Sequence, residues 1–129
     1  MKFAYAIFYV PDVAQAIDFY ERAFGFQRGF VHESGEYGEL QTGQTTLSFA
    51  SLTLAPGNLP GGVTPTNPQQ PPPAFEVAFS TDDVAAAYTR ATAAGAAAAS
   101  PPKVKPWGQT VAYVRDPWGN LIELCTPIG

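Results

Sequence analysis

The sequence predicts an α+β fold built from two copies of one unit, a strand, a helix and then three strands. Three observations carry the prediction. A strand-then-helix pattern occurs twice, at residues 3–25 and again at 75–95. Both helices are bracketed by the same signals, an aspartate before and a glycine after. Each is followed by three short extended stretches separated by turn residues. Self-similarity of this kind marks a duplicated supersecondary unit that cannot bury its own sheet alone, so the two halves are expected to pack together.

In the first half, the apolar run at 3–10 reads as a strand closed by Pro11-Asp12-Val13, followed by a helix over 14–23. Asp12 suits the N-cap, where a side-chain oxygen satisfies free amide donors, and Gly25 suits the left-handed position past the end. Val13, Ile17, Tyr20 and Phe24 recur at helical spacing and mark the buried face. Strands follow at 27–32, 38–41 and 45–50, separated by Glu33-Ser34-Gly35 and Thr42-Gly43.

The second half repeats the scheme. A strand at 75–81 leads through Asp82-Asp83-Val84 into a helix over 85–94 that ends at Gly95, with Val84, Ala87, Tyr88 and Ala91 on one face. Strands are expected at 96–99, 110–115 and 121–126, the last two joined by the turn Asp116-Pro117-Trp118-Gly119-Asn120. One domain of residues 1–129 thus divides into a module at 1–50, a connector at 51–74 and a module at 75–129. The connector holds seven prolines and three glycines, a composition expected to form neither helix nor central strand. A loop so long often carries function or spans two subunits, and a solvated spacer is the plain alternative.

Composition narrows the function classes. A chain of 129 residues with 46% apolar and 13% aromatic residues can build a proper core. Only 14% of residues are charged, so part of the surface is covered by small neutral residues or by a partner subunit. The net charge is −4 and no two basic residues are adjacent, which excludes the basic stripe that nucleic acid requires. A neutral or cationic small ligand fits this balance better than a polyanion. The lone Cys125 excludes an internal disulfide and fits a reducing compartment. Residues 1–10 read as a strand and not as a signal peptide, and no apolar stretch reaches spanning length, so the expected location is the cytoplasm.

Two stretches resemble a known family. Val10-Pro11-Asp12-Val13, Phe19-Tyr20-Glu21 and Phe24-Gly25-Phe26 look like the opening signature of vicinal-oxygen-chelate modules, the glyoxalase, bleomycin resistance and extradiol dioxygenase group. The run from Val114 through Asp116-Pro117-Trp118-Gly119-Asn120 to Leu124 looks like their closing signature and is the more specific. The resemblance covers nearly the whole chain outside the connector. It implies a curved, eight-stranded mixed sheet, open like a cup, with the helices outside. It also implies up to four metal-ligand positions, on the first and last strand of each half, and a homodimer.

Strand parity identifies the inward residues at those positions. Ile122 and Leu124 should back onto a helix, which points Glu123 inward; by the same rule Ser48 and Glu76 point inward, and Tyr5 falls at the fourth position counting back from Pro11-Asp12. This set lacks the histidines that suit zinc, nickel or iron, so the expectation is no cofactor or a weakly held divalent metal on Glu76 and Glu123. Glu76 and Glu123 are equally readable as an acid/base pair or ligand anchor, or as two carboxylates hydrogen-bonded to Tyr and Ser hydroxyls. Tyr5, Tyr9, Ser48, Arg115 and Trp107 are the candidate ligand-binding residues. Arg115 has an alternative role on turn carbonyls, and most other aromatics, Tyr113 and Trp118 among them, read as core. His32, beside a turn, reads as a solvated rim residue, Cys125 as a buried small hydrophobe, and Lys103 and Lys105 as a solvated pair.

Two functions follow. The first is binding of a small organic molecule in a cup without a tight transition metal. The alternative is a metal-assisted, glyoxalase-like lyase or isomerase acting beside a carbonyl or on a thiol adduct, with Glu76 or Glu123 as proton acceptor. A purely structural module is disfavoured, because inward polar residues are not what a filled core contains.

Overall fold

Each half of the chain folds as its own strand–helix–three-strand module. The structure is a computed structural model and describes residues 1–128. The first module contains β1 (Tyr5–Val10), α1 (Val13–Phe24), β2 (Gln27–Val31), β3 (Tyr37–Gln41) and β4 (Thr46–Ser51). A 3-10 turn (Leu52–Leu54) and a short helix α2 (Ala55–Asn58) follow. The second module contains β5 (Glu76–Ser80), α3 (Val84–Ala93), β6 (Ala97–Val104), β7 (Thr110–Arg115) and β8 (Leu121–Cys125). The two four-stranded sheets share one topology, β1-β4-β3-β2 and β5-β8-β7-β6. In each, the first and last strands pair in parallel and the rest antiparallel, giving a mixed sheet. By contact the chain divides into two units, residues 1–65 and Thr66 onward.

The helices start and stop where their caps dictate. Asp12 accepts from the Gln15 amide and Asp83 from the Ala86 amide, both at 3.0 Å. Gly25 closes α1 in the left-handed region, and Gly95 follows α3 at positive φ. In the first module Val13, Ile17 and Tyr20 of α1 are buried against the sheet, with the Tyr20 and Phe49 rings 5.0 Å apart. Gly38 lets the helix come this close, since a Cβ there would stand 2.5 Å from Ile17 Cδ1. In the second module α3 buries Val84 and Ala91 over Ala112, Val114, Ile122 and Leu124. Each fully buried large apolar side chain contributes about 1.5–3 kcal/mol, so the aromatic first core is the better-anchored of the two.

The structure differs from the sequence-based expectation in three places. The second module's first long strand runs to Val104, well past residue 99, through Pro101 and Pro102. β6 is an edge strand whose register slips between Ser100 and Lys103, and an edge with irregular pairing is where proline's missing donor is tolerated. The connector was expected to be free of helix, yet residues 52–58 form the 3-10 turn and α2. Pro56 lies at the start of α2, where its missing N–H would have no helical partner anyway. Residues 66–70 are tied to the second module. Thr66 donates to the Trp118 carbonyl at 2.6 Å, and Arg115 donates to the carbonyls of Asn67, Pro68 and Gln70.

Candidate functional site

In the second module, register sets the site. Glu123 on β8 lies beside Ala78 on β5 and Tyr113 on β7, while Glu76 lies beside Leu121. Because side chains alternate along a strand, Glu76, Glu123, Tyr113 and Cys125 share one face, opposite the Ile122 and Leu124 that back the core. Glu76 and Glu123 are therefore diagonal neighbours. The Tyr113 hydroxyl donates to Glu123 Oε1 at 2.9 Å and fixes its orientation.

The electrostatics follow from two acids on one half-sheltered surface. Glu76 is raised above its ordinary value of 4.5, by desolvation first and then by the Glu123 carboxylate beside it. Glu76 keeps solvent on one side, so its desolvation is partial. Burial, and then the hydrogen bond and charge of Glu123, push the Tyr113 phenol up to about 12. Cys125 is raised by burial and by Glu123, so it stays a neutral thiol and suits a packing role. A carboxyl with a raised folded-state pKa contributes stability that is fully present below the unfolded value of 4.5 and lost as pH rises through the folded value. Glu76→Gln should therefore remove the part of any fall in melting temperature above pH 4.5 that Glu76 contributes. Thermal melts across that range check it, and profiles of identical shape would count against the coupling.

The first module has a matching face. Ile7 on β1, Ser48 on β4 and Glu39 on β3 stand side by side in register. Alternation adds Tyr5, Tyr9 and Tyr37 to that face, away from α1. Tyr37 donates to Glu39 Oε2 at 2.8 Å, and Asn58 donates to the Tyr9 hydroxyl at 3.0 Å. Burial raises the Tyr37 phenol, the nearby Ser48 hydroxyl offsets part of that, and Glu39 adds to the rise. Ser48 is fully buried, yet its Oγ meets no partner in good hydrogen-bonding geometry, the Tyr37 hydroxyl beside it being bonded to Glu39.

The remaining candidates lie elsewhere. Arg115 continues the Tyr113 row, but its donors go to backbone carbonyls: Gly119 at 2.8 Å, Gln70 at 2.6 Å, and Asn67 and Pro68 beyond. Trp107 sits in the turn between β6 and β7, 66% exposed, its indole N–H donating to Gln109. His32 is an exposed turn residue whose Nδ1 accepts from the Ser34 amide. Sequence reasoning missed Tyr113, Tyr37 and Glu39 as site residues. The signal was present in one hairpin: counting outward from the Asp116–Asn120 turn sets residue 113 opposite 123, whereas 39 falls opposite 48 only because the other turn spans four residues, 42–45, and not Thr42-Gly43 alone.

A tight transition-metal centre does not suit these residues. Within the second module the available donors are two carboxylates, one already holding a phenol hydrogen, and a neutral thiol. Among the described residues no group of three or more His, Cys, Asp or Glu side chains is placed to hold an ion. Imidazole, the ligand that favours zinc, nickel and iron, is missing from both faces.

A family model for the Glyoxalase/Bleomycin resistance protein/Dioxygenase superfamily matches residues 2–124. No curated protein gives a significant match. A glyoxalase-related enzyme from Fulvimarina pelagi is 23% identical, with a TM-score of 0.81 over 96% of this chain and 86% of that one. TioX from Micromonospora sp. ML1 is 25% identical, with a TM-score of 0.72 over 98% of both chains. A superfamily member from Sphaerobacter thermophilus DSM 20745 is 24% identical, with a TM-score of 0.74 over 98% of both. Such likenesses speak to the fold, and one fold hosts many functions. Among the described residues no helix is long and apolar enough to cross a membrane.

Proposed function

The chain belongs to the Glyoxalase/Bleomycin resistance protein/Dioxygenase superfamily, and from that premise we propose that it binds a small organic molecule on its open sheet faces without a tightly held transition metal. The observation that carries this reading is the Glu76–Glu123–Tyr113 group. Two carboxylates share a half-sheltered face, a phenol orients one of them, and among the described residues neither has a lysine or arginine partner. Carboxylates kept unneutralised on an open face are disposed to accept hydrogen bonds from a ligand, and a filled core would exclude them. The lone, buried Cys125 accords with a reducing compartment, and the cytoplasm is the location proposed.

Binding is tested with ¹⁵N-labelled protein and a panel of neutral, cationic and anionic small molecules. Binders are expected to shift the amides of Tyr113, Glu123 and Cys125, and Glu76→Gln combined with Glu123→Gln should weaken them at least about ten-fold. Shifts confined to turns and helices would sink the reading. Elemental analysis of untagged protein is expected to find far less than one equivalent of zinc, nickel or iron. Near one equivalent, lost on Glu123→Ala, would favour the metal-assisted lyase instead.

A homodimer is part of the proposal. Its support is the 14% charged fraction and the exposure of large apolar side chains such as Phe3, Val104 and Trp107. Sedimentation equilibrium at micromolar concentration should give about twice the 13.7 kDa chain mass. A monomer there refutes it.

A further inference from the structure

We propose that the open face of the first sheet recognises an organic cation, a protonated amine on an apolar body, with Glu39 as its counter-charge and Ser48 as its hydrogen-bond partner. The inference rests on the reading that ligands bind the open faces, and it adds Glu39 as the charged partner and narrows the ligand to an amine. Its first support is the Ser48 hydroxyl. It is fully buried, faces away from α1, and makes no hydrogen bond of good geometry, although the Tyr37 hydroxyl is near enough to feel it. An unmade hydrogen bond at a buried hydroxyl is destabilising, and such groups in folded proteins are otherwise nearly always partnered.

Glu39 supplies the sign of the charge. It stands directly opposite Ser48 in the β3–β4 register. Tyr37 holds Oε2 at 2.8 Å, which locks the carboxylate in place and leaves Oε1 without a hydrogen bond. Among the described residues no lysine or arginine shares this face. Arg28, on β2, belongs to the opposite row, where Asp18 and Glu21 of α1 hold it at 2.7 Å. An ammonium group has three donors and no acceptor, so one can meet Glu39 Oε1 and another Ser48 Oγ. A carboxylate ligand would meet the like charge of Glu39.

The surroundings fit the rest of such a molecule. Tyr5, Ile7 and Phe30 are 53%, 46% and 55% exposed, and the Phe30 and Tyr37 rings are 6.5 Å apart. Aromatic faces attract cations through their quadrupoles and apolar bodies through lost water contact. Ile7, the register neighbour of Ser48, is half exposed and would have to turn aside for an entering ligand.

The test uses 2-phenylethylamine, 2-phenylethanol and phenylacetate, which differ mainly in charge, followed by amide shifts in the intact chain. The amine should shift Tyr37, Glu39 and Ser48 and bind at least ten-fold tighter than the alcohol, while phenylacetate leaves them unmoved. Glu39→Gln should erase the preference and Glu39→Asp retain it. Ser48→Ala should weaken the amine while raising the melting temperature of the free protein, a combination a merely structural serine would not give. Equal binding of alcohol or acid at these amides overturns the inference. Shifts restricted to β5, β7 and β8 overturn it and leave the proposed function standing, whereas no shift on either face with any probe overturns both.

Discussion

Asp116→Ala is expected to destabilise the protein by about 3–5 kcal/mol, since it strips three donors of their acceptor and each buried donor left unpaired costs about 1–3 kcal/mol. Asp116 is 1% exposed and serves as the hub of the turn between β7 and β8. Its Oδ1 accepts from the amides of Trp118 and Asn120, at 3.0 and 2.9 Å, and its Oδ2 accepts from the Asn120 side chain at 2.8 Å. Alanine leaves these donors without an acceptor where water cannot readily reach them. Asp116→Asn keeps one acceptor and should cost less. Urea unfolding at neutral pH measures the difference through the midpoint at constant slope. A loss below about 1 kcal/mol would mean that water replaces the carboxylate and that the turn is not a stability determinant.

The effect reaches the site because the turn sets register. Residues 115 and 121 flank it as partners, and each step outward fixes the next pair, so Tyr113 meets Glu123 only if the turn closes with five residues. A slip by one would send Glu123 to the buried face and Ile122 to the open one. The aspartate, proline and glycine of this turn therefore specify the site as much as the glutamate does.

Much of this was legible in the residues themselves. Aspartate before and glycine after each helix announce both ends, and the helical spacing of Val13–Ile17–Tyr20 and of Val84–Ala91 announces the buried faces, with Phe24, Ala87 and Tyr88 only half-buried at their margins. The placing of Ser48 and Glu123 on the sheet face away from the helix followed from their bulky neighbours, because alternation is a local rule. Glu39 was not read as a site residue, since its importance comes from what lies across the sheet and not along the strand. The extension of β6 was hidden by Pro101 and Pro102, which forbid a central strand but not an irregular edge. The attachment of residues 66–70 was hidden altogether. Proline-rich sequence specifies extended backbone, and nothing local says that Arg115, some 45 residues later, will donate to its carbonyls.

That attachment makes Gly119→Ala the other large effect, about 2–4 kcal/mol, combining backbone strain with a steric conflict. Gly119 has φ +99, a conformation L side chains rarely adopt. A Cβ there would also stand 2.9 Å from Pro68 N, 3.0 Å from the Asn67 carbonyl carbon and 3.0 Å from an Arg115 guanidinium nitrogen. Two of these three atoms are backbone and cannot rotate away, so residues 67–68 must lift from the turn. Arg115 then loses the acceptors at Asn67, Pro68 and Gln70 together. Arg115→Ala releases the same segment without strain at 119. Since both substitutions break one set of contacts, the double variant should be destabilised by less than the sum of the single ones. Hydrogen exchange at the Gln70 amide, which donates to the Asn67 carbonyl at 3.1 Å, should accelerate in either single variant and no further in the double. Strict additivity, with that amide unchanged, would show that the segment is held by something other than Arg115 and the turn.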